Sequence, residues 1–202
     1  MKKRTVSIVL AALFVITAAV IAGSSRTNEV PAPLAIGATV DEFTLPDVNG
    51  QEHTLKSLKG KNGTVLIFIS VQCPVSNAYN DRMEKLAADY KDKGIAVIGI
   101  NANASEDAVA VKAHAAEKHL TFTILKDAGN KVADKLGAAT TPEAYFLDAN
   151  NKLLYHGRID NSRNPDTIES NDLRQALDSS LAGKPVEKPE AKAFGCSIKR
   201  VS

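Results

Sequence analysis

Residues Val65 to Ser76 constrain the fold more than any other stretch. Val65-Leu66-Ile67-Phe68-Ile69 is continuous, rich in β-branched and aromatic side chains, and about as long as a strand. Cys73-Pro74 follows closely, and Pro74 suits a first helical position, where no backbone N–H is needed. Beyond it Tyr79, Met83, Leu86 and Tyr90 recur at four, three and four, which gives one apolar helix face ending near Lys93-Gly94. The pattern predicts a buried strand leading to a cysteine at a helix N-terminus. Unpaired N–H groups and the positive dipole end favour thiolate over thiol there. A thiolate is the form that attacks disulfides and peroxides. The alternative is a small buried cysteine that only packs.

The remaining elements fall into an alternating α/β order. Phe43 to Leu55 reads as two short strands around Asn49-Gly50. Ile95 to Ile100 is apolar on both faces, as a central parallel strand requires. Asn101 and Asn103 follow at that strand's end, where active loops collect, and otherwise read as solvated loop residues. Ser105 is a good N-cap, with Glu106 and Asp107 in the first turn of a helix to about Lys118. Thr121 to Leu125 is a short strand, and Asn130 to Leu136 a short helix closed by Gly137. Ala144 to Asp148 and Lys152 to Arg158 form a hairpin, so the sheet is mixed. Leu173, Ala176, Leu177 and Leu181 mark a last amphipathic helix.

Both ends lie outside this pattern. Lys2, Lys3 and Arg4 precede an apolar stretch from Ser7 to Ala22, and small residues follow. Residues 1–24 therefore read as a cleaved signal peptide or an uncleaved membrane anchor, and 25–35 as a linker. Either way the folded part, 36–182, is expected outside the cytoplasm, in the periplasm or secreted, where cysteines serve redox chemistry. Residues 183–202 are rich in Lys, Glu and Pro and are expected to form a flexible tail carrying Cys196. Lys2, Lys3 and Arg4 supply three of 25 basic side chains, leaving 22 against 23 acids. That near-neutral body, without tryptophan, argues against a nucleic-acid partner. A membrane partner is expected only if the leader stays attached.

Four features together resemble the redoxins of the alkyl hydroperoxide reductase/thiol-specific antioxidant family and the thioredoxin-like proteins of bacterial envelopes. They are Gly37 to Leu45, the strand with Cys73-Pro74, Thr140-Thr141-Pro142, and Tyr155-His156-Gly157-Arg158-Ile159-Asp160. The resemblance implies a thioredoxin-like α/β fold, with a mixed central sheet flanked by helices and an N-terminal β-hairpin extension. It implies a cis bond at Thr141-Pro142, beside the reactive cysteine, where Pro142 and Thr141 position substrate. Partners would be protein disulfides or thiols, or a peroxide, together with an external thiol reductant.

The chain departs from both motifs. Cys73-Pro74-Val75-Ser76 has serine where a thioredoxin has its second cysteine. Ser76 either bonds the thiolate or caps the helix. The other cysteine is Cys196, which either resolves an adduct on Cys73 or closes a permanent staple worth ~4–5 kcal/mol in the chain-entropy model. In the peroxiredoxin pattern Pro-x-x-x-Thr/Ser-x-x-Cys, Leu66 stands at the proline position and Ser70 at the hydroxyl position. Arg158 is the candidate to hold a peroxide oxygen, or it is a surface charge. No zinc-type spacing or phosphate-binding glycine loop is present, so no cofactor or metal is expected. A Cys73–His156 copper site is the weakest alternative. The sequence thus favours a thiol–disulfide oxidoreductase. A thiol-dependent peroxidase comes next, and a non-catalytic binding module last.

Overall fold

The computed structural model describes residues 31–201, and the leader and the first part of the linker lie outside them. The hairpin is β1 (Thr44–Pro46) and β2 (Glu52–Thr54), followed by α1 (Leu55–Leu58). Next come β3 (Gly63–Ile69), α2 (Pro74–Asn77), α3 (Asn80–Lys91) and β4 (Ile95–Asn101). The chain continues through α4 (Ala108–Glu117), β5 (Thr123–Lys126), α5 (Lys131–Leu136) and the short β6 (Thr140–Thr141). β7 (Glu143–Leu147) and β8 (Leu153–Gly157) form the second hairpin, and α6 (Asp172–Leu181) closes the helical part. Two further strands follow, β9 (Glu190–Ala191) and β10 (Cys196–Ser197). Among the described residues no helix is long and apolar enough to cross a membrane.

The main sheet has the order β5-β4-β3-β7-β8-β9. β3 runs parallel to β4, with Val65 opposite Val97, and antiparallel to β7, with Val65 opposite Phe146. Every residue of β3 is buried, which is why that stretch shows no polar alternation. Its side chains still point to opposite faces. Val65, Ile67 and Ile69 meet Met83, Leu86 and Tyr90 of α3 and Leu173 and Leu177 of α6. Leu66 and Phe68 meet Leu45, Leu55, Val132 and Leu136 on the other face. Each such side chain contributes about 1.5–3 kcal/mol by leaving water.

Two local expectations change. The single helix expected from Cys73 to Lys93 is broken at Ala78 and Tyr79. There Ala78 N–H reaches Val75 O at 3.1 Å and Tyr79 N–H reaches Ser76 O at 3.0 Å, the tighter i to i+3 pattern. The α4 cap is Asp107, whose Oδ1 accepts from Ala110 N–H at 2.8 Å, and not Ser105. The helix therefore starts two residues late, and Glu106 turns inward.

The tail is docked along much of its length, in contrast to the free segment expected. β9 adds a parallel strand to β8, with His156 opposite Glu190. β10 pairs antiparallel with β6, with Cys196 opposite Thr141 and Ser197 opposite Thr140. Beyond it Ile198 is buried, and Lys199 N–H donates to Asn103 Oδ1 at 2.7 Å. Two glycines permit this approach. A Cβ on Gly157 (φ +145°) would lie 1.8 Å from Ala191 O, and one on Gly195 (φ +152°) 2.0 Å from Thr141 O. The tail has too little apolar surface to fold alone, but its backbone groups find partners on exposed strand edges.

Candidate active site

The site forms where β3 gives way to α2. Cys73 is the N-cap of α2, and Pro74 occupies the first helical position. The Cys73 Sγ accepts the Ser76 N–H at 3.3 Å and lies 3.3 Å from Thr141 O. The Thr141–Pro142 bond is cis. So Thr141, on β6, offers its carbonyl to one cysteine and its strand edge to the other.

Both cysteines are free thiols. Cys73 is only 1% exposed, whereas Cys196 is half-buried. Burial pushes the Cys73 thiol up. Hydrogen bonds from the Cys196 thiol, the Ser76 N–H and Thr141 outweigh this and hold Cys73 below the ordinary range. The neighbouring Cys73, with burial second, pushes the Cys196 thiol up, although Lys199 pulls the other way. Proximity thus divides the pair into an acidic thiol and a basic one.

The serines act on the loop and not on the sulfur through their hydroxyls. Ser70 Oγ accepts Cys73 N–H at 3.1 Å and donates to Glu106 Oε1 at 2.6 Å. Ser76 Oγ accepts Ser70 N–H at 3.1 Å, so Ser76 serves the sulfur only through its backbone. Glu106 is the residue that sequence reasoning missed. Its carboxylate also accepts Val71 N–H at 3.1 Å, Gln72 N–H at 3.0 Å and Asn101 Nδ2. Burial would raise this carboxyl. The donors from Ser70, Asn101, Val71 and Gln72 outweigh it and hold Glu106 below the usual carboxylate range.

Asn101 and Asn103, expected as solvated loop residues, are buried. Lys126 Nζ donates to Asn101 Oδ1 and to Asn103 O, each at 2.8 Å. Asn103 then holds the tail at Lys199. The only local signal for this cluster was its polarity, coming directly after an apolar strand.

A second buried carboxylate supports β6. Glu143 Oε2 accepts Ala139 N–H at 2.7 Å and Thr140 N–H at 2.9 Å, and Oε1 lies 2.6 Å from His156 Nε2. Burial raises this carboxyl too, but His156 and the two backbone donors prevail and lower it. His156 also stacks on Tyr145 at 4.4 Å, so its partners are Glu143 and Tyr145 rather than Cys73. Arg158 is engaged by Asp172, with Nε 2.7 Å from Oδ2. The structure therefore joins Cys73, Ser76, Thr141, Pro142 and Cys196 with Ser70 behind them, and gives Arg158 a partner of its own.

These contacts describe a buried thiolate-stabilising cysteine with a second thiol against it. A model of the AhpC/TSA family matches residues 36–156. The chain belongs to that family. It is 32% identical to the chloroplastic peroxiredoxin Q of Sedum lineare over 75% of this chain and 84% of that one. It is 29% identical to the thiol-disulfide oxidoreductase ResA of Bacillus thuringiensis (strain Al Hakam) over 60% and 68% respectively. A crystal structure of a hypothetical protein from Sinorhizobium meliloti 1021 matches with a TM-score of 0.78 and 33% identity, covering 85% of this chain and 97% of that one. The fold is thioredoxin-like, a mixed sheet flanked by helices. Membership indicates an oxidoreductase, and the two relatives' names divide between disulfide exchange and peroxiredoxin.

Proposed function

We propose that this protein is an extracytoplasmic thiol–disulfide oxidoreductase in which Cys73 and Cys196 cycle between dithiol and disulfide. The observation that carries this is Cys196 seated opposite Thr141, whose carbonyl oxygen lies 3.3 Å from the Cys73 sulfur. β10 is two residues long and holds Cys196 without a covalent bond, so it lifts to admit a substrate disulfide. The Cys73 thiolate attacks one substrate sulfur and the other leaves as a thiolate. When β10 returns, the Cys196 thiolate attacks Cys73 Sγ and expels the second substrate thiolate. One substrate disulfide is reduced as one protein disulfide forms, and an external thiol restores the dithiol. Location outside the cytoplasm rests on the basic residues Lys2 to Arg4 followed by the apolar run Ser7 to Ala22.

Incubation with glutathione disulfide, then peptide mass mapping, tests this. A linked Cys73–Cys196 peptide is expected, and Cys73→Ser should abolish exchange. Full turnover by Cys196→Ser would remove Cys196 from the resolving role.

The peroxiredoxin relative favours a second reading, in which a hydroperoxide oxidises the Cys73 thiolate to a sulfenic acid, releasing an alcohol or water. Cys196 then condenses with it, releasing water. Against this, Ser70 Oγ is already engaged by Glu106 and by the Cys73 N–H, and Arg158 Nε is held by Asp172. Hydroperoxide-dependent consumption of a thiol reductant distinguishes the two.

A further inference from the structure

We infer that Lys126 is a positioning residue for both cysteines, because its one buried ammonium holds the turn that carries Glu106 beneath Cys73 and receives the tail that carries Cys196. This rests on the Cys73–Cys196 exchange proposed above.

Lys126 ends β5 and stands in register with Asn101, the last residue of β4. It is only 8% exposed. Its acceptors are all neutral oxygens: Asn101 Oδ1 and Asn103 O at 2.8 Å, and Asn101 O at 3.4 Å. A buried cation is tolerated where its protons are bonded in this way. Removing it strands the oxygens that it holds.

Those oxygens belong to one turn. Asn103 O also accepts the Glu106 N–H at 3.2 Å, which closes residues 103–106. Lys126 therefore grips the carbonyl on which the turn closes. It also fixes the Asn101 amide, whose Nδ2 donates to Glu106 Oε2 and to Ile69 O. The Glu106 carboxylate then meets Ser70, Val71 and Gln72, and Ser70 takes the Cys73 N–H. A continuous path runs from the ammonium through Asn101, Glu106 and Ser70 to Cys73.

The same turn receives the tail. Lys199 N–H donates to Asn103 Oδ1 at 2.7 Å, and Lys199 O accepts the Ala104 N–H at 2.8 Å. Cys196 lies three residues before Lys199, so the place of the turn governs how closely Cys196 returns to Cys73. Tail docking and the Glu106 clasp favour one shape of the turn, and each thus supports the other.

Charge gives the lysine a second task. Glu106 is held ionised below Cys73, and a Cys73 thiolate adds another negative charge to that region. Lys126 supplies the balancing cation across the Asn101 amide. Burial weakens its hold on the proton, and the facing carboxylates of Glu106, Asp127 and Asp107 oppose this. On the tail side Cys73 faces Cys196, with Lys199 beside it.

The test compares Lys126→Met, which keeps the stem and loses the charge, with Lys126→Arg, which keeps the charge. Hydrogen exchange of the Val71, Gln72 and Lys199 amides is followed in the reduced full chain. Titration of Cys73 is followed by thiolate absorbance, with each substitution placed in a Cys196→Ala parent. In Lys126→Met all three amides should exchange about tenfold faster. Cys73 should titrate at higher pH than in the parent, and Lys126→Arg should restore the parent titration. Faster exchange at Lys199 alone makes Lys126 an anchor of the tail only and overturns the inference. Faster exchange with an unmoved Cys73 titration reports lost packing only and overturns it too. Should Lys126→Met fail to fold, Lys126→Gln carries the same expectations. Absence of exchange between the wild type and glutathione disulfide overturns the proposed function. Variants that match wild type in both readings overturn this inference instead.

Discussion

Cys73 and Cys196 lie side by side, yet they are held in opposite ways. Cys73 sits on a loop gripped from below by one buried carboxylate. Glu106 gathers the Ser70 hydroxyl and the N–H groups of Val71 and Gln72, and Ser70 in turn takes the N–H of Cys73. Cys196 has no such clasp on its own segment. It rides on β6, and a different carboxylate, Glu143, fixes β6 through Ala139 and Thr140. The first cysteine is part of the core's polar wiring. The second reaches that wiring through strand pairing and, three residues on, through the Lys199 N–H that donates to Asn103 Oδ1. Low local stability suits an element that must lift and return, and a fixed sulfur suits a nucleophile.

The largest effect should come from breaking the Cys73 clasp. Glu106→Ala leaves buried donors on Ser70, Val71, Gln72 and Asn101 without an acceptor, and should cost ~3 kcal/mol in urea unfolding. Glu106→Gln should cost less, because one oxygen still accepts. An alanine variant within about 0.5 kcal/mol of wild type would show that water replaces the carboxylate.

Breaking the other side should cost less stability and change access more. Gly195→Ala places a side chain against Thr141 O at a backbone conformation that side chains disfavour. Global stability should fall by only about 1 kcal/mol. Native-state alkylation of Cys73 should accelerate by about tenfold, equal to about 1.4 kcal/mol of easier local opening. An unchanged alkylation rate would mean that β10 does not guard Cys73.

The contrast also explains what was legible in the sequence. β3 and the stripe Tyr79, Met83, Leu86 and Tyr90 could be read because burial leaves a periodic apolar record. The break at Ala78 could not, because the stripe begins at Tyr79 and has no member before it to show a change of phase. Glu106 resembled an ordinary first-turn acid, and its inward turn follows from which residue caps α4. The tail misled because composition reports side chains, whereas backbone pairing docks it. The clue was glycine. Gly195 next to Cys196, and Gly157 before Arg158, stand where two chains approach too closely for a Cβ.

Acid should loosen both regions by one cause. Glu106 and Glu143 are each held below the usual carboxylate range in the folded protein. Their contribution is complete above the unfolded glutamate value of about 4.3 and is lost as pH falls through the lower folded values. The urea midpoint should therefore fall as pH drops below about 4. Asp127, which burial pushes up, titrates in the opposite sense, so the slope is best compared between wild type and Glu106→Gln. A flatter slope in the variant is expected, and an unchanged one would assign the acid sensitivity elsewhere.

The smallest effect is the most specific to the pair. Burial alone would make Cys73 a weak acid, and the Cys196 thiol is foremost among the groups that lower its pKa again. In Cys196→Ala that donor is gone, while the Ser76 N–H still donates to the sulfur. Cys73 should then titrate at higher pH than in wild type, as read from thiolate absorbance or the pH profile of alkylation. Cys196→Ser keeps a hydroxyl donor beside the sulfur and should raise the value less. Stability should hardly change in either variant, because β10 is held by backbone pairing. The order wild type, serine, alanine is thus a ladder of one hydrogen bond. If alanine and serine titrate alike, the helix-end N–H of Ser76, and not the second thiol, sets the acidity of Cys73. The two cysteines would then be neighbours in space without being coupled in charge.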